Sequence, residues 1–313
     1  MSSSNKCSFF IKMNPDQYNY LKKSLDNPYE IGHVMYFKPD SEKYTPNKKY
    51  TLVSTSLDSI TKGGGMSVYT PLGAINLHTH PKSAYKYENC LWGWPSGEDM
   101  AEVIRYAASG MMGHFVVTVE GTYTLQVNPC FLKFFSSNKL ADRERGILYK
   151  LIYVYFSNFH SYRTKNNVKK FKSKNITPKF FVNLANKFKL ETLEKHVGVI
   201  DGSAIISEDY CDYFMSFNHG RSSRIQHINP EGMIVYTEEF NKLSQAEVKV
   251  TINKFIEMFN KLSCKNYRTS IFHATFIPKE KIPHLKVSFG AVKRSCPIKK
   301  VLEISREKTF RFT

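Results

Sequence analysis

The sequence predicts an α/β protein, with strands and helices taking turns over residues 1–141, followed by a basic α+β region. Two observations carry that expectation. Residues 1–141 alternate between short runs of period two and runs of helical period, as they do when strands and helices take turns along one sheet. In residues 142–313 the apolar runs have helical spacing and the charge turns strongly positive. The chain therefore divides into 1–141 and a basic 142–313 whose fold the sequence does not name.

The elements follow in order. Pro15 to Leu25 (PDQYNYLKKSL) spaces Tyr18, Leu21 and Leu25 as a helix does, and Asp26-Asn27-Pro28 ends it. EIGHVMYF (30–37) and KYTLVSTS (49–56) read as strands, and Lys62-Gly63-Gly64-Gly65 marks a loop or turn. GAINLHTH (73–80) is apolar and β-prone until Pro81 stops it. Ser96 stands where an N-cap belongs, ahead of a helix over 99–109. HFVVTVEGTYTLQV (114–127) reads as a strand, a Glu-Gly turn and a second strand. Further on, ERGILYKLIYVYFSNF and ITPKFFVNLANKF (176–188) have helical spacing. Ser244 with Glu247 makes a capping box for a helix striped by Val248, Ile252, Phe255, Ile256, Phe259 and Leu262.

Composition bounds the partners. The chain carries 45 Lys+Arg against 27 Asp+Glu, a net +18. Residues 145–190 hold eleven Lys/Arg and no acid, with Lys165, Lys169, Lys170, Lys172 and Lys174 crowded into one polar stretch. Such a segment attracts nucleic acid or another polyanion through long-range fields, or it is a solvated linker; both readings stand. No stretch reaches the roughly 18 apolar residues of a membrane span, and nothing looks like a secretory signal. The expectation is a soluble, intracellular, cytoplasmic protein. Six scattered cysteines without a C-x-x-C pair argue for reduced thiols and against a zinc site built from cysteine.

The chemistry gathers at HTHPKSAYKYENCLWGWPSGED (78–99). Residues i and i+2 of a strand share a side, so His78 and His80 project together from a strand end. They make a natural pair of nitrogen donors for zinc, and Asp99, in the first turn of the next helix, can add an oxygen donor. Three protein ligands with a fourth position open to water is the arrangement of a catalytic zinc site. Taken alone, H-x-H is a weak signal.

The surrounding residues sharpen it. H-T-H-P followed by P-S-x-x-D resembles the signature of the JAMM (JAB, MPN+) zinc metalloproteases, which cleave isopeptide bonds to ubiquitin and its relatives. The matching residues are His78, His80, Pro81, Ser96 and Asp99. The family's upstream glutamate matches Glu30 in Glu30-Ile31-Gly32-His33-Val34-Met35-Tyr36, directly after a helix. The resemblance covers about residues 12 to 130 and implies a JAMM/MPN-like mixed sheet flanked by helices and a zinc-dependent isopeptidase or peptidase, deubiquitinase-like, acting on a ubiquitin-like or peptide substrate. It implies zinc on His78, His80 and Asp99, Glu30 as general base and then acid, and Ser96 donating to the oxyanion. Ser96 also reads as a plain helix cap.

Two departures from the pattern stand out. Fourteen residues separate Pro81 from Ser96 where the family has about seven, and the extra length carries Tyr85, Tyr87, Trp92 and Trp94. That loop reads equally as a substrate wall or lid and as a packed cover. His33 replaces the second glycine of the glutamate segment; out of phase with Glu30, it faces the other side. The alternative function is a catalytically unused MPN-like scaffold, such as a virion or assembly component with its own assembly partner. The composition is compatible with a large DNA virus. Two weaker signals are His273-Ala274-Thr275-Phe276, half of a two-histidine phosphoesterase pattern, and the polar loop 218–224.

Overall fold

The computed structural model describes residues 8–39, 50–64, 68–71, 73–166, 176–195, 244–262, 270–279 and 284–288. The strands are β1 (Ser8–Lys12), β2 (Ile31–Pro39), β3 (Tyr50–Lys62), β4 (Ile75–Thr79), β5 (Gly113–Val117), β6 (Gly121–Val127), β7 (Phe272–Pro278) and β8 (His284–Ser288). They form one eight-stranded mixed sheet in the order β7-β6-β5-β4-β2-β3-β1-β8. The β4–β5 and β1–β3 pairs are parallel and the rest antiparallel. Parallel strands need a crossover; between β4 and β5 it is made by α2 (Lys82–Tyr87) and α3 (Gly97–Ala108).

The remaining helices are α1 (Pro15–Ser24), α4 (Pro129–Phe135), α5 (Asp142–Ser157), α6 (Pro178–Lys187), α7 (Leu190–Lys195) and α8 (Gln245–Asn260). Local chemistry sets several starts. Asn14 accepts the Asp16 N–H at 2.8 Å ahead of a proline at the first helical position of α1. Ser96–Asp99 and Ser244–Glu247 close capping boxes on α3 and α8. The sequence placed α1, α3, α5, α6, α8 and the β5–β6 hairpin within a few residues of where they lie.

The sheet buries both faces. On one side Ile11, Met13, Leu21, Leu25, Met35, Ile75, Leu77 and Phe115 form a compact cluster beneath α1. On the other side a larger cluster gathers Trp94, Val103, Ile104, Val116, Tyr123, Phe131, Leu151, Phe156 and Phe181, together with Val248, Ile252 and Phe255 from α8. Side-chain alternation along β4 sends Ile75 and Leu77 to the α1 side and leaves Asn76 and His78 facing α3. Packing continues across residue 141, since β7 pairs with β6 and β8 with β1.

The segment between Pro81 and Ser96 is a packed cover. It folds into α2, and its second half is pinned from several directions. The Trp92 indole N–H donates to the Ile176 carbonyl at 3.1 Å, and Cys90 bridges to Thr164. Trp94, fully buried, stacks on Phe181 with ring centroids 4.5 Å apart. Arg163 donates to the Trp94 carbonyl at 3.1 Å and pairs with Glu88.

One expectation fails. Cys130 is disulfide-bonded, although reduced thiols were expected throughout. Spacing along the chain does not reveal which thiols the fold brings together. Its partner lies outside the described residues, and Cys90 is a free, buried thiol. No helix among the described residues is long and apolar enough to cross a membrane. Lys169, Lys170, Lys172 and Lys174 of the basic stretch and the 218–224 loop lie outside the described residues.

Candidate metal centre

Strand register assembles the group. β2 runs antiparallel to β4 with Gly32 opposite His78, so continuing the ladder sets Ile31 by Thr79 and Glu30 by His80. The Ile31 N–H donates to Thr79 Oγ1 at 3.1 Å. The Glu30 backbone is held on its other side by the glycines that follow β3, its N–H donating to the Gly64 carbonyl at 3.1 Å and its carbonyl accepting the Gly63 N–H at 3.0 Å. Residues opposite one another in a ladder point to one face. Glu30, His78 and His80 therefore share the face under α3.

The donors converge closely. Glu30, His78 and His80 are all buried, and one ligand atom from each lies within 4.8 Å of the others, a group that could hold a metal ion. The two Nε2 atoms stand 3.0 Å apart, and Glu30 Oε1 lies 3.9 Å from His80 Nε2. Asp99 brings a second carboxylate to the same point, Oδ1 at 3.3 Å from His78 Nε2 and Oδ2 at 3.7 Å from His80 Nε2. Asp99 Oδ2 also accepts the Ser96 N–H at 2.6 Å, and Ser96 Oγ accepts the Asp99 N–H at 3.1 Å. The capping box thus starts α3 and fixes the Asp99 carboxylate at once. Ser96 keeps its own hydroxyl proton to donate.

Burial sets the charge states. It lowers the pKa of His78, and for His80 burial and the neighbouring His78 bring it to about 3. Both rings are neutral at neutral pH, as nitrogen ligands must be. Burial, with the Asp99 carboxylate nearby, raises Glu30 well above the ordinary glutamate value. Burial acts against an ionised Asp99, and the Ser96 N–H donating to its Oδ2 works the other way, toward the carboxylate. Two neutral imidazoles, the Glu30 carboxyl and the partly buried Asp99 carboxylate form a donor set that could hold a metal ion.

The sequence reading named all five residues brought together here: Glu30, His78, His80, Ser96 and Asp99. His33, opposite Leu77, lies on the far face, its Nε2 3.3 Å from the Tyr20 hydroxyl. His273 lies on β7, well along the sheet from β4.

Several supporting residues escaped that reading. His114 on β5 places Nε2 2.9 Å from His78 Nδ1, and its own Nδ1 lies 2.7 Å from Asn76 Oδ1. The cover contributes through its backbone: the Gly93 carbonyl lies 3.0 Å from His80 Nδ1. Gly93 is fixed in turn by Glu120, which accepts its N–H at 2.8 Å together with the hydroxyls of Tyr85 and Tyr123. A side chain at position 93 would meet the Tyr85 hydroxyl at 2.1 Å, so this close approach requires glycine. Asn76-x-His78-x-His80 was a visible period-two signal, whereas nothing local pointed to His114 or Glu120.

Comparison with known proteins gives a viral relative of undescribed role. The chain is 26% identical over 220 residues to "Uncharacterized protein 3R" of Frog virus 3 (isolate Goorha), a match covering 67% of this chain and 47% of that protein. The chain spans about half the length of that relative. No family model matches it, and no solved structure matches it.

Proposed function

We propose that the protein is a zinc-dependent isopeptidase or peptidase of the JAMM type. The observation that carries this reading is the convergence of the buried Glu30, His78 and His80, with the partly buried Asp99 carboxylate 3.3 Å and 3.7 Å from the two imidazoles and Ser96 beside it. His78, His80 and Asp99 would hold the ion, with Glu30 acting on protons. When bound there, zinc would polarise the scissile carbonyl and make the attacking water more acidic. Glu30 accepts the proton of that water and delivers it to the leaving amine, acting as base and then acid. Ser96, whose oxygen is already held by the Asp99 N–H, turns its hydroxyl proton toward the developing oxyanion. Burial of the group excludes bulk water and strengthens each of these interactions. A ubiquitin-like tail or a peptide is the substrate class this chemistry suits.

Glu30 and Asp99 both reach the histidines, so a substitution pair separates their roles. Glu30→Gln should retain zinc and lose about 10²–10⁴ in cleavage rate, with substrate affinity little changed. Asp99→Asn should lose zinc as well. Equal cleavage by wild type and Glu30→Gln would remove Glu30 as the base. Zinc-loaded wild type that cleaves no isopeptide or peptide substrate would favour the scaffold alternative.

A further inference from the structure

Behind the metal group lie two buried polar side chains that the chemistry above does not use, Asn76 and His114, exposed 0% and 1%. They sit opposite each other in the parallel β4–β5 register, on the face shared with His78. Hydrogen-bond direction along this row is fixed from its far end. The Pro71 carbonyl can only accept, so the Asn76 amide nitrogen donates to it at 3.1 Å and the amide oxygen is left facing His114 Nδ1 at 2.7 Å. His114 Nδ1 therefore carries a hydrogen. A neutral imidazole protonated on Nδ1 has its lone pair on Nε2, and here that lone pair accepts from His78 Nδ1 at 2.9 Å. The His78 lone pair is then on Nε2. On the other side the Gly93 carbonyl fixes His80 in the same tautomer, 3.0 Å from its Nδ1. Two lone pairs thus face each other across 3.0 Å. With nothing between them this is repulsive, and around a shared cation it is attractive.

We infer that Asn76 and His114 are positioning residues for the metal, fixing the tautomer and ring orientation of His78 so that its donor nitrogen is aimed before the ion arrives. The inference rests on the zinc reading above and extends it to the residues that set affinity. A histidine without such a partner must select its tautomer and rotamer as it binds; this row removes that cost. Loss of an outer hydrogen-bond partner of a ligating histidine weakens metal binding by about 10–100-fold.

Zinc affinity of the metal-free 313-residue chain, measured by competition with a chromophoric chelator, tests this. His114→Leu removes the acceptor and should weaken zinc binding by about 10–100-fold. His114→Gln keeps an oxygen for His78 and an N–H for Asn76, and should recover most of that loss. Unchanged affinity in His114→Leu, or no recovery in His114→Gln, overturns the inference. Melting curves of the metal-free variants report whether they fold. If they do not, side-chain ¹⁵N spectra of metal-free wild type decide: His78, His80 and His114 should all carry their proton on Nδ1, and a proton on Nε2 of His114 overturns the inference. Wild type that binds no zinc overturns the zinc reading and this inference together. Tight zinc in both wild type and His114→Leu overturns this inference alone.

Discussion

Adding one methyl group at Gly97 should disturb both the fold and the metal group, because Gly97 is where the first turn of α3 rests on α5. A Cβ there would stand 2.4 Å from the Tyr153 carbonyl oxygen, 2.2 Å from Ser157 Oγ and 2.8 Å from the Ser157 nitrogen. The hydroxyl can swing aside, but the two backbone atoms move only with α5. Restoring 3.4 Å to the carbonyl requires the helices to part by about 1 Å. Overpacking of this kind costs about 1–3 kcal/mol, while the better helix propensity of alanine returns at most about 1 kcal/mol. At about 2–4 °C per kcal/mol for large domains, Gly97→Ala should lower the melting midpoint by several degrees. Ser96 and Asp99 ride on the displaced turn, and Asp99 Oδ1 would draw back from its 3.3 Å approach to His78, so zinc affinity should fall as well. Differential scanning calorimetry and zinc titration measure the two effects. Gly64→Ala is the control, since a Cβ there meets nothing within 4 Å. A Gly97→Ala protein that melts with wild type and binds zinc as tightly would refute the reasoning.

Two further outcomes follow from the cover. Glu120→Gln replaces a carboxylate that accepts from Gly93 N–H, Tyr85 and Tyr123, and should cost about 1–3 kcal/mol in urea unfolding; an unchanged midpoint counts against the strut. Burial pushes the Glu88 carboxyl up, but His160 and Arg163 prevail and hold it at about 2 against an ordinary 4.5. The folded pKa is the lower one, so this stabilisation is present above pH 4.5 and is lost as the pH falls toward 2. Urea midpoints of wild type should therefore drop more steeply on acidification than those of Glu88→Gln. Parallel curves would show that the Glu88–Arg163 pair carries no such linkage.

The site was legible where local periodicity governs it. Strand parity placed His78 and His80 together and turned His33 away, and both expectations match the β2–β4 register. Ser96 was legible as the cap of α3, but not that Asp99 completes a capping box with it, the contact that also aims the carboxylate. Long-range pairing was not legible. His114 reaches His78 only because β5 lies parallel to β4, and no feature near residue 114 announces that neighbour. The loop from Pro81 to Ser96 left wall and cover undecided because its fate depends on Phe181 and Ile176, far along the chain. Strand β7 joins β6 across more than a hundred residues, and its own alternation says nothing about which edge it seeks. The Cys130 disulfide escaped for the same reason.

Metal analysis of the purified chain, saturated with zinc and then dialysed, tests the central claim most directly. Wild type should hold one zinc per chain, and His78→Ala combined with His80→Ala should hold none. Stoichiometric zinc surviving in the double variant, or a wild type that retains no metal, would contradict the account.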